Sequence, residues 1–163
     1  MAFRTRFLSL ACCSFAFGAT FASAANFRDE RVISLEAADT VISSAEKLAQ
    51  SSGWPCVIAV VDRSGMIVSM KRMDGASVPA GVFLAPGKAR TAALFKRPTS
   101  VLEDAINGPR PAAITAGDFV MMRGGVPLIQ DGEVIGAVGV SSDTPAHDQA
   151  IADAGAAALS EKQ

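Results

Sequence analysis

The chain contains one histidine, His147, among its 163 residues. Imidazole is the commonest metal ligand in proteins, so His147 is a candidate ligand, although an exposed histidine in the first turn of a helix is more often solvated surface. A lone histidine excludes a zinc site built from several histidines. A Ser-His-Asp triad stays open, but no G-x-S-x-G elbow accompanies the histidine.

Two sulfur-containing side chains also have a functional and a structural interpretation. Met73 ends a predicted strand just before Asp74-Gly75, and it is the methionine that we expect to face a cleft. Cys56 begins an apolar run and is interpreted as a small hydrophobic core residue. It would act as a thiolate nucleophile only beside a basic partner, which the sequence does not identify.

Between residues 71 and 123 the chain carries an excess of basic residues. Arginine can hold a carboxylate with two hydrogen bonds. Lys88 near a helix start is well placed to pair with a carboxylate, because that helix end adds a partial positive charge of its own. Two interpretations stay open: a cationic cleft for an anionic ligand, or a solvated basic face with ordinary ion pairs. The residues concerned are Lys71, Arg72, Lys88, Arg90, Lys96, Arg97, Arg110 and Arg123.

The first 24 residues have the pattern of a secretory signal peptide. Arg4 and Arg6 precede an apolar run over residues 7–21, and Ala22-Ser23-Ala24 is an A-x-A cleavage site. We therefore expect a periplasmic or secreted protein with a single domain over residues 25–163. Without the two arginines, 13 basic residues face 16 acidic ones, a charge of −3. This balance argues against a nucleic-acid partner, and no second apolar run is long enough to span a membrane.

The elements that must position these side chains begin with a helix capped by Ser34 and ended by Gly53. An apolar hairpin turning at residues 62–65 follows. Asp131-Gly132 predicts a second hairpin with a type I′ turn, and Thr144-Pro145 predicts the start of the last helix.

The middle of the chain is predicted to be helical but irregular. Pro86 suits a first helical position, so the helix is predicted to run from Lys88 to Phe95, with a loop from Gly81 to Gly87 above the cleft. Ser100 and Glu103 form a capping box for a short helix. With a short strand at residues 118–123, the order is α–ββ–αα–βββ–α. This order predicts an α/β (α+β) sandwich in which helices cover a five-stranded antiparallel sheet.

Three motifs in this framework resemble those of the GlcG/HbpS family, also called the haem-degrading or PduO C-terminal-like family. The first is the helix motif at residues 88–98, KARTAALFKRP. The second is the hairpin from Gly124-Gly125-Val126-Pro127-Leu128 to the GAVGVS run at residues 136–141. The third is the helix start at residues 144–152, TPAHDQAIA.

The resemblance implies a profilin-like sandwich that forms dimers or larger assemblies. It also implies an exported haem-binding protein, and a few members of the family degrade haem or respond to redox state. Within it we expect a ligand site that contains Lys88, Arg90, Thr91, Arg123 and Met73, with His147 as a candidate iron ligand. The alternative is an enzyme or binder that acts on a small carboxylated metabolite. Whether the protein is an enzyme stays open.

Overall fold

The computed structural model describes residues 29–160 of the chain. The predicted signal peptide and its cleavage site lie outside these residues. Within them the elements are α1 (Leu35–Ser52), β1 (Val57–Asp62), β2 (Ile67–Arg72), α2 (Gly81–Phe95), α3 (Thr99–Ile106), a short 3₁₀ helix (Pro111–Thr115), β3 (Gly125–Gln130), β4 (Glu133–Ser141) and α4 (Pro145–Ser160).

The strands form one antiparallel sheet in the order β2-β1-β4-β3. The two hairpins, β1–β2 and β3–β4, are joined through β1 and β4, where Val57 pairs with Ser141 and Val60 with Val138. The mixed α/β class and the antiparallel sheet agree with the sequence, but the predicted number of five strands is wrong.

Residues 118–123, the missing fifth strand, run outside the sheet. The Arg123 backbone N–H donates to Glu103 Oε2 at 2.8 Å and is therefore used by a side chain instead of a strand ladder. Gly124, with φ of 107°, then turns the chain into β3. Positive φ is accessible to glycine at little cost, so the turn separates this segment from the sheet.

The sheet lies between two layers of helices because its central strands alternate apolar residues towards both faces. On one face, Ile58, Val60, Val138 and Val140 pack with α1 and α4 in the main core. On the other face, small residues of β1 and β4 contact α2. They form two clusters with α2 residues, listed here together: Val57, Ala59, Val61, Ala85, Ala89, Ala92, Ala93 and Ala137.

Helix α2 starts seven residues earlier than predicted and contains Pro86 in its interior. The predicted loop from Gly81 to Gly87 is therefore helical. Proline removes one intrahelical hydrogen bond, which disfavours a helix interior. However, Gly81, Ala85 and Ala89 recur every four residues and face the sheet, so packing outweighs this local preference.

Contact between α2 and β4 is closest at Gly139. An ideal Cβ at this glycine would overlap the Ala85 carbonyl oxygen and lie 2.5 Å from the Ala89 backbone nitrogen. Only a residue without a side chain permits the helix backbone to rest on the strand here.

Most local end signals of the sequence are confirmed. Ser34 Oγ accepts a hydrogen bond from Ala37 N at 3.2 Å, and α1 ends at Gly53. Asp131 and Gly132 both have positive φ, 49° and 78°, as a type I′ turn requires. The capping box at Ser100 is wrong, because α3 begins at Thr99 after Pro98, and Glu103 bonds to Arg123 instead.

None of the helices within residues 29–160 is both long and apolar enough to cross a membrane.

The Gly139 contact predicts that Gly139→Ala lowers the free energy of unfolding by about 3 kcal/mol, because the new methyl group meets backbone atoms that cannot rotate away. Urea denaturation followed by circular dichroism measures this loss. The matched control is Gly53→Ala, where φ is 70° but nothing lies within 4 Å of the new Cβ. The control should cost about 1 kcal/mol from backbone strain alone. Equal losses in the two variants would contradict the close approach of α2.

Candidate functional site

A cavity of about 140 Å³ lies where the C-terminal end of β4, the start of α4 and one side of α2 meet. Its polar walls come from Lys88 of α2, Ser141 of β4, Asp148 of α4, and the connecting residues 142–144. Its apolar walls include Leu84 and Met122, and Arg123 lies beside them.

Lys88 is buried beneath this cavity, with 1% of its side chain exposed, and pairs with Asp148, of which 8% is exposed. Lys88 Nζ donates to Asp148 Oδ2 at 2.5 Å and to the Val140 carbonyl oxygen at 3.0 Å. A lysine is rarely buried unless it is paired. The pair ties α2, β4 and α4 together at one point.

Asp148 is held from its other side by Ser142. The Ser142 backbone N–H and hydroxyl both donate to Asp148 Oδ1, at 2.5 Å and 2.6 Å. Both carboxylate oxygens therefore have hydrogen-bond donors. The buried charge is matched by one cation and two further N–H or O–H groups, which is the arrangement that makes burial of an ion pair tolerable.

Arg123 is the second cation at the cavity, and it is also paired. Its Nε donates to Glu103 Oε2 and its Nη2 to Asp104 Oδ1, each at 2.7 Å. The hydrogen bond and charge of Glu103, with a smaller contribution from Asp104, raise the pKa of Arg123. The structure thus brings Lys88 and Arg123 to one cavity, where each already faces a carboxylate, and their part in ligand binding stays a prediction.

Arg90 and Thr91, which follow Lys88 in the sequence motif, lie away from the cavity. Arg90 extends over the Phe119 ring, 5.2 Å from its centroid, and donates to the Asp118 carbonyl oxygen at 3.3 Å. Thr91 is fully buried, and its hydroxyl donates to the Gly87 carbonyl oxygen within α2. Their assignment as ligand-binding residues stays a prediction, without support from this cavity.

Met73 lies beyond the end of β2, where it packs against the main core with its sulfur 3.7 Å from the Cys56 sulfur. It borders a shallow surface depression that it shares with Glu46, Lys71 and Asp74. Met73 is thus partly buried in the core. It lies apart from the cavity that Lys88 and Arg123 line, so its predicted role in ligand binding stays a prediction.

His147 occupies the third position of α4, as predicted, and its ring is held from two sides. It stacks on Trp54 with ring centroids 3.7 Å apart, and Nδ1 lies 2.8 Å from Asp143 Oδ1. The hydrogen bond from His147 lowers the pKa of Asp143. An imidazole fixed through Nδ1 by a carboxylate presents Nε2 for ligation. However, no group of three or more acidic, histidine or cysteine residues suited to a metal exists within residues 29–160.

A larger apolar groove of about 430 Å³ adjoins the cavity and shares Leu84 and Met122 with it. Glu103 is the only charged residue among those that line it. The rest of the lining comes from α3, the 3₁₀ helix and the segment before β3: Ile106, Asn107, Ile114, Phe119, Val120 and Met121.

Sequence reasoning missed Ser141, Ser142, Asp148 as the partner of Lys88, and the two methionines of the groove. Asp148 was visible only as a match to the family motif, because 60 residues separate it from Lys88. The groove was hidden because Met121 and Met122 fall in the segment that the sequence assigned to a strand.

The fold defines a class of protein, in which a four-stranded antiparallel sheet lies between α1 and α4 on one face and α2 on the other. The family model described as "Haem degrading protein HbpS-like" matches residues 33–157. The chain is 39% identical to Protein GlcG of Escherichia coli K12 over 110 residues, which cover 68% of this chain and 81% of GlcG.

Two solved structures extend this comparison. A double mutant of Streptomyces reticuli HbpS has a TM-score of 0.78 at 30% identity, covering 88% of this chain and 98% of that one. A complex of PduOC with haem has a TM-score of 0.69 at 30% identity, covering 78% and 94%. The chain belongs to the HbpS-like family.

The buried ion pair predicts that Lys88→Met lowers the free energy of unfolding by about 3–5 kcal/mol, because it leaves the Asp148 charge buried without its cation. Urea denaturation at pH 7 measures the loss. Lys71→Met is the matched control: Lys71 also pairs with a carboxylate, that of Glu46, but half of its side chain is exposed. The control should cost less than about 1 kcal/mol. Similar losses would contradict a special role for the buried pair.

Cys56 gives a second prediction, since burial, with smaller contributions from the charges of Asp148 and Glu46, raises the pKa of its thiol from 9.0 to about 12. The unfolded thiol ionises near pH 9, whereas the folded one stays protonated. The stabilisation from Cys56 is therefore complete below pH 9 and is lost as pH rises towards 12.

A chain that starts at residue 25 contains Cys56 as its single cysteine. In this chain we expect iodoacetamide at pH 8 to leave Cys56 unmodified in the folded state and to alkylate it in 8 M urea. Mass spectrometry reads both states, and rapid alkylation of the folded protein would contradict the assignment.

Proposed function

We propose that this protein binds haem and that the apolar groove beside the Lys88–Asp148 cavity is the binding site for the porphyrin ring. The observation that carries the proposal is this groove of about 430 Å³, which lies within the range of roughly 300–1,000 Å³ that is typical of small-molecule sites. Membership of the HbpS-like family and the similarity to the PduOC complex with haem support it.

The lining of the groove fits a large flat apolar ring better than it fits an anion. Ile106, Ile114, Phe119 and Val120 supply apolar and aromatic surface, and Glu103 is the only charged lining residue. The cations expected from the sequence to receive an acidic ligand do not line the groove. Affinity for a porphyrin would therefore come mainly from burial of apolar surface.

Two methionines in the groove, Met121 and Met122, could hold the iron, since methionine thioether is one of the protein ligands of haem iron. We assign the iron ligand to this pair. His147 is the other candidate, because Asp143 orients its imidazole, but His147 does not line the groove.

When bound, haem supplies an iron centre whose redox state can change. The groove residues would bind and orient the ring and exclude water from one of its faces. We propose that this occurs in the periplasm or outside the cell, which the signal-peptide pattern of residues 1–24 supports. Degradation of the bound haem is a further part of the proposal, and the description of the family supports it.

We also propose that the protein assembles into dimers or larger oligomers. Phe83 and Met66 are large apolar side chains with 77% and 67% of their surface exposed, and neither lines the groove. Exposed apolar surface of this kind is typical of protein contacts when it is contiguous. Burial of these side chains between subunits would remove that surface from water.

Titration of the purified protein with hemin tests the proposal. We expect saturable binding with one site per protomer and a shift of the Soret band from its position in free hemin. Met121→Leu and Met122→Leu keep the apolar volume and remove the sulfur, so one of them should change the position of the Soret band.

His147→Ala is the comparison variant, because it removes the imidazole outside the groove. We expect it to leave the spectrum of the complex unchanged. A spectrum altered only by His147→Ala would move the iron site to α4. Absorbance that remains that of free hemin throughout the titration would refute haem binding.

A further inference from the structure

We propose that the 140 Å³ cavity above the Lys88–Asp148 pair is a second binding site, for a small monocarboxylate. Lys88 and Ser141 would be the residues that hold it. The inference rests on this cavity alone and does not depend on haem binding in the neighbouring groove.

The first observation is that Lys88 retains hydrogen-bonding capacity. An ammonium group has three N–H donors. Within residues 29–160, Lys88 Nζ has two acceptors, Asp148 Oδ2 and the Val140 carbonyl oxygen. Lys88 also lines the cavity, so the remaining donor is available to a molecule inside it.

The second observation is Ser141, the last residue of β4, which is only 4% exposed and lines the cavity. Its hydroxyl faces the start of α2, where an ideal Cβ on Gly81 would lie 3.4 Å from Ser141 Oγ. No hydrogen bond to this oxygen is formed within the part of the chain that the structure describes. Every fully enclosed polar side-chain atom of the described residues has a hydrogen-bond partner. The unbonded Ser141 Oγ therefore keeps some accessible surface and can bond to a molecule in the cavity.

The third observation is that most carboxylate oxygens at the cavity are already used as acceptors. Asp148 Oδ1 accepts twice from Ser142, and Asp148 Oδ2 accepts from Lys88. Asp143 Oδ1 contacts His147, and Asp143 Oδ2 is the carboxylate oxygen of the lining that stays unpaired among the described residues. Apart from this oxygen, the charged side chains of the walls offer donors, so a fitting ligand must bring acceptors.

The positive charges of Lys88 and Arg123 favour a carboxylate over a neutral acceptor group in the ligand. Arg123 also lines the cavity, and its two ion pairs use Nε and Nη2. The N–H groups of Nη1 remain available. A carboxylate can accept charge-assisted hydrogen bonds from Lys88 and Arg123, which are stronger than those to a neutral carbonyl. The carboxylates that already pair with both cations reduce this gain, so we expect modest affinity.

The volume limits the size of the ligand. A protein cavity of about 150 Å³ can hold benzene, which has about six non-hydrogen atoms. A cavity of about 140 Å³ therefore suits a three-carbon hydroxy acid or oxo acid. Larger acids would have to project through the opening of the cavity.

Isothermal titration calorimetry of the haem-free protein with lactate tests the site. Lactate has the size that fits, and lactamide is its neutral counterpart of nearly equal shape. We expect saturable 1:1 binding of lactate and binding at least tenfold weaker for lactamide. Absence of saturable lactate binding would overturn the site, and equal binding of the two compounds would overturn the assignment of carboxylate chemistry.

Ser141→Ala separates this site from adventitious binding without disturbing the buried ion pair. Loss of one charge-assisted hydrogen bond should weaken lactate binding about tenfold. Ser44→Ala is the matched control, since Ser44 is a half-buried serine of α1 whose hydroxyl donates to Ala154 in α4. It should leave the affinity unchanged. Equal affinities in the two variants would overturn the role of Ser141. The hemin titration reads a different ligand and a different groove, so the failure of either proposal leaves the other standing.

Discussion

The buried ion pair between Lys88 and Asp148 is the interaction on which the arrangement of this site depends. It joins the middle of α2 to the first turn of α4, and Lys88 also bonds to the backbone of β4 at Val140. Two charges removed from water are tolerated only when their geometry and remaining hydrogen bonds are good. Ser142 completes this requirement with two donors to Asp148. One polar cluster thus fixes three elements on one side of an otherwise apolar core.

Two kinds of surface lie close to this cluster. One is a small cavity lined by Lys88, Asp148 and Arg123 among other residues, and the other is a larger groove lined by apolar residues and two methionines. Leu84 and Met122 belong to both. The sequence predicted one cationic cleft for an anionic ligand, but the structure has two adjoining pockets of different character. Lys88 and Arg123 line the small cavity, whereas haem, as proposed, would occupy the apolar groove.

Local signals predicted the ends of elements well, because a cap or a turn depends on a few neighbouring residues. Ser34, Gly53 and Asp131-Gly132 are examples. The local signals gave wrong predictions where contacts between residues distant in sequence determine the structure. Pro86 disfavours a helix locally, but the small residues that contact β4 extend α2 through it. The partner of Lys88 lies 60 residues away and was not assigned from the spacing. Arg123 binds Glu103 through its backbone N–H, which removed the fifth strand.

The pairing of β1 with β4 has a consequence for how the chain reaches this structure. Each hairpin can form from neighbours in sequence. The pairing of Val57 with Ser141, in contrast, joins residues that are far apart in the sequence. Closing so long a segment costs entropy before any contact repays it, and folding slows as such distant pairings come to dominate. We therefore expect both hairpins to form before β1 pairs with β4. The small cavity, which is lined by Ser141 at the end of β4, would be among the last parts of the molecule to take shape.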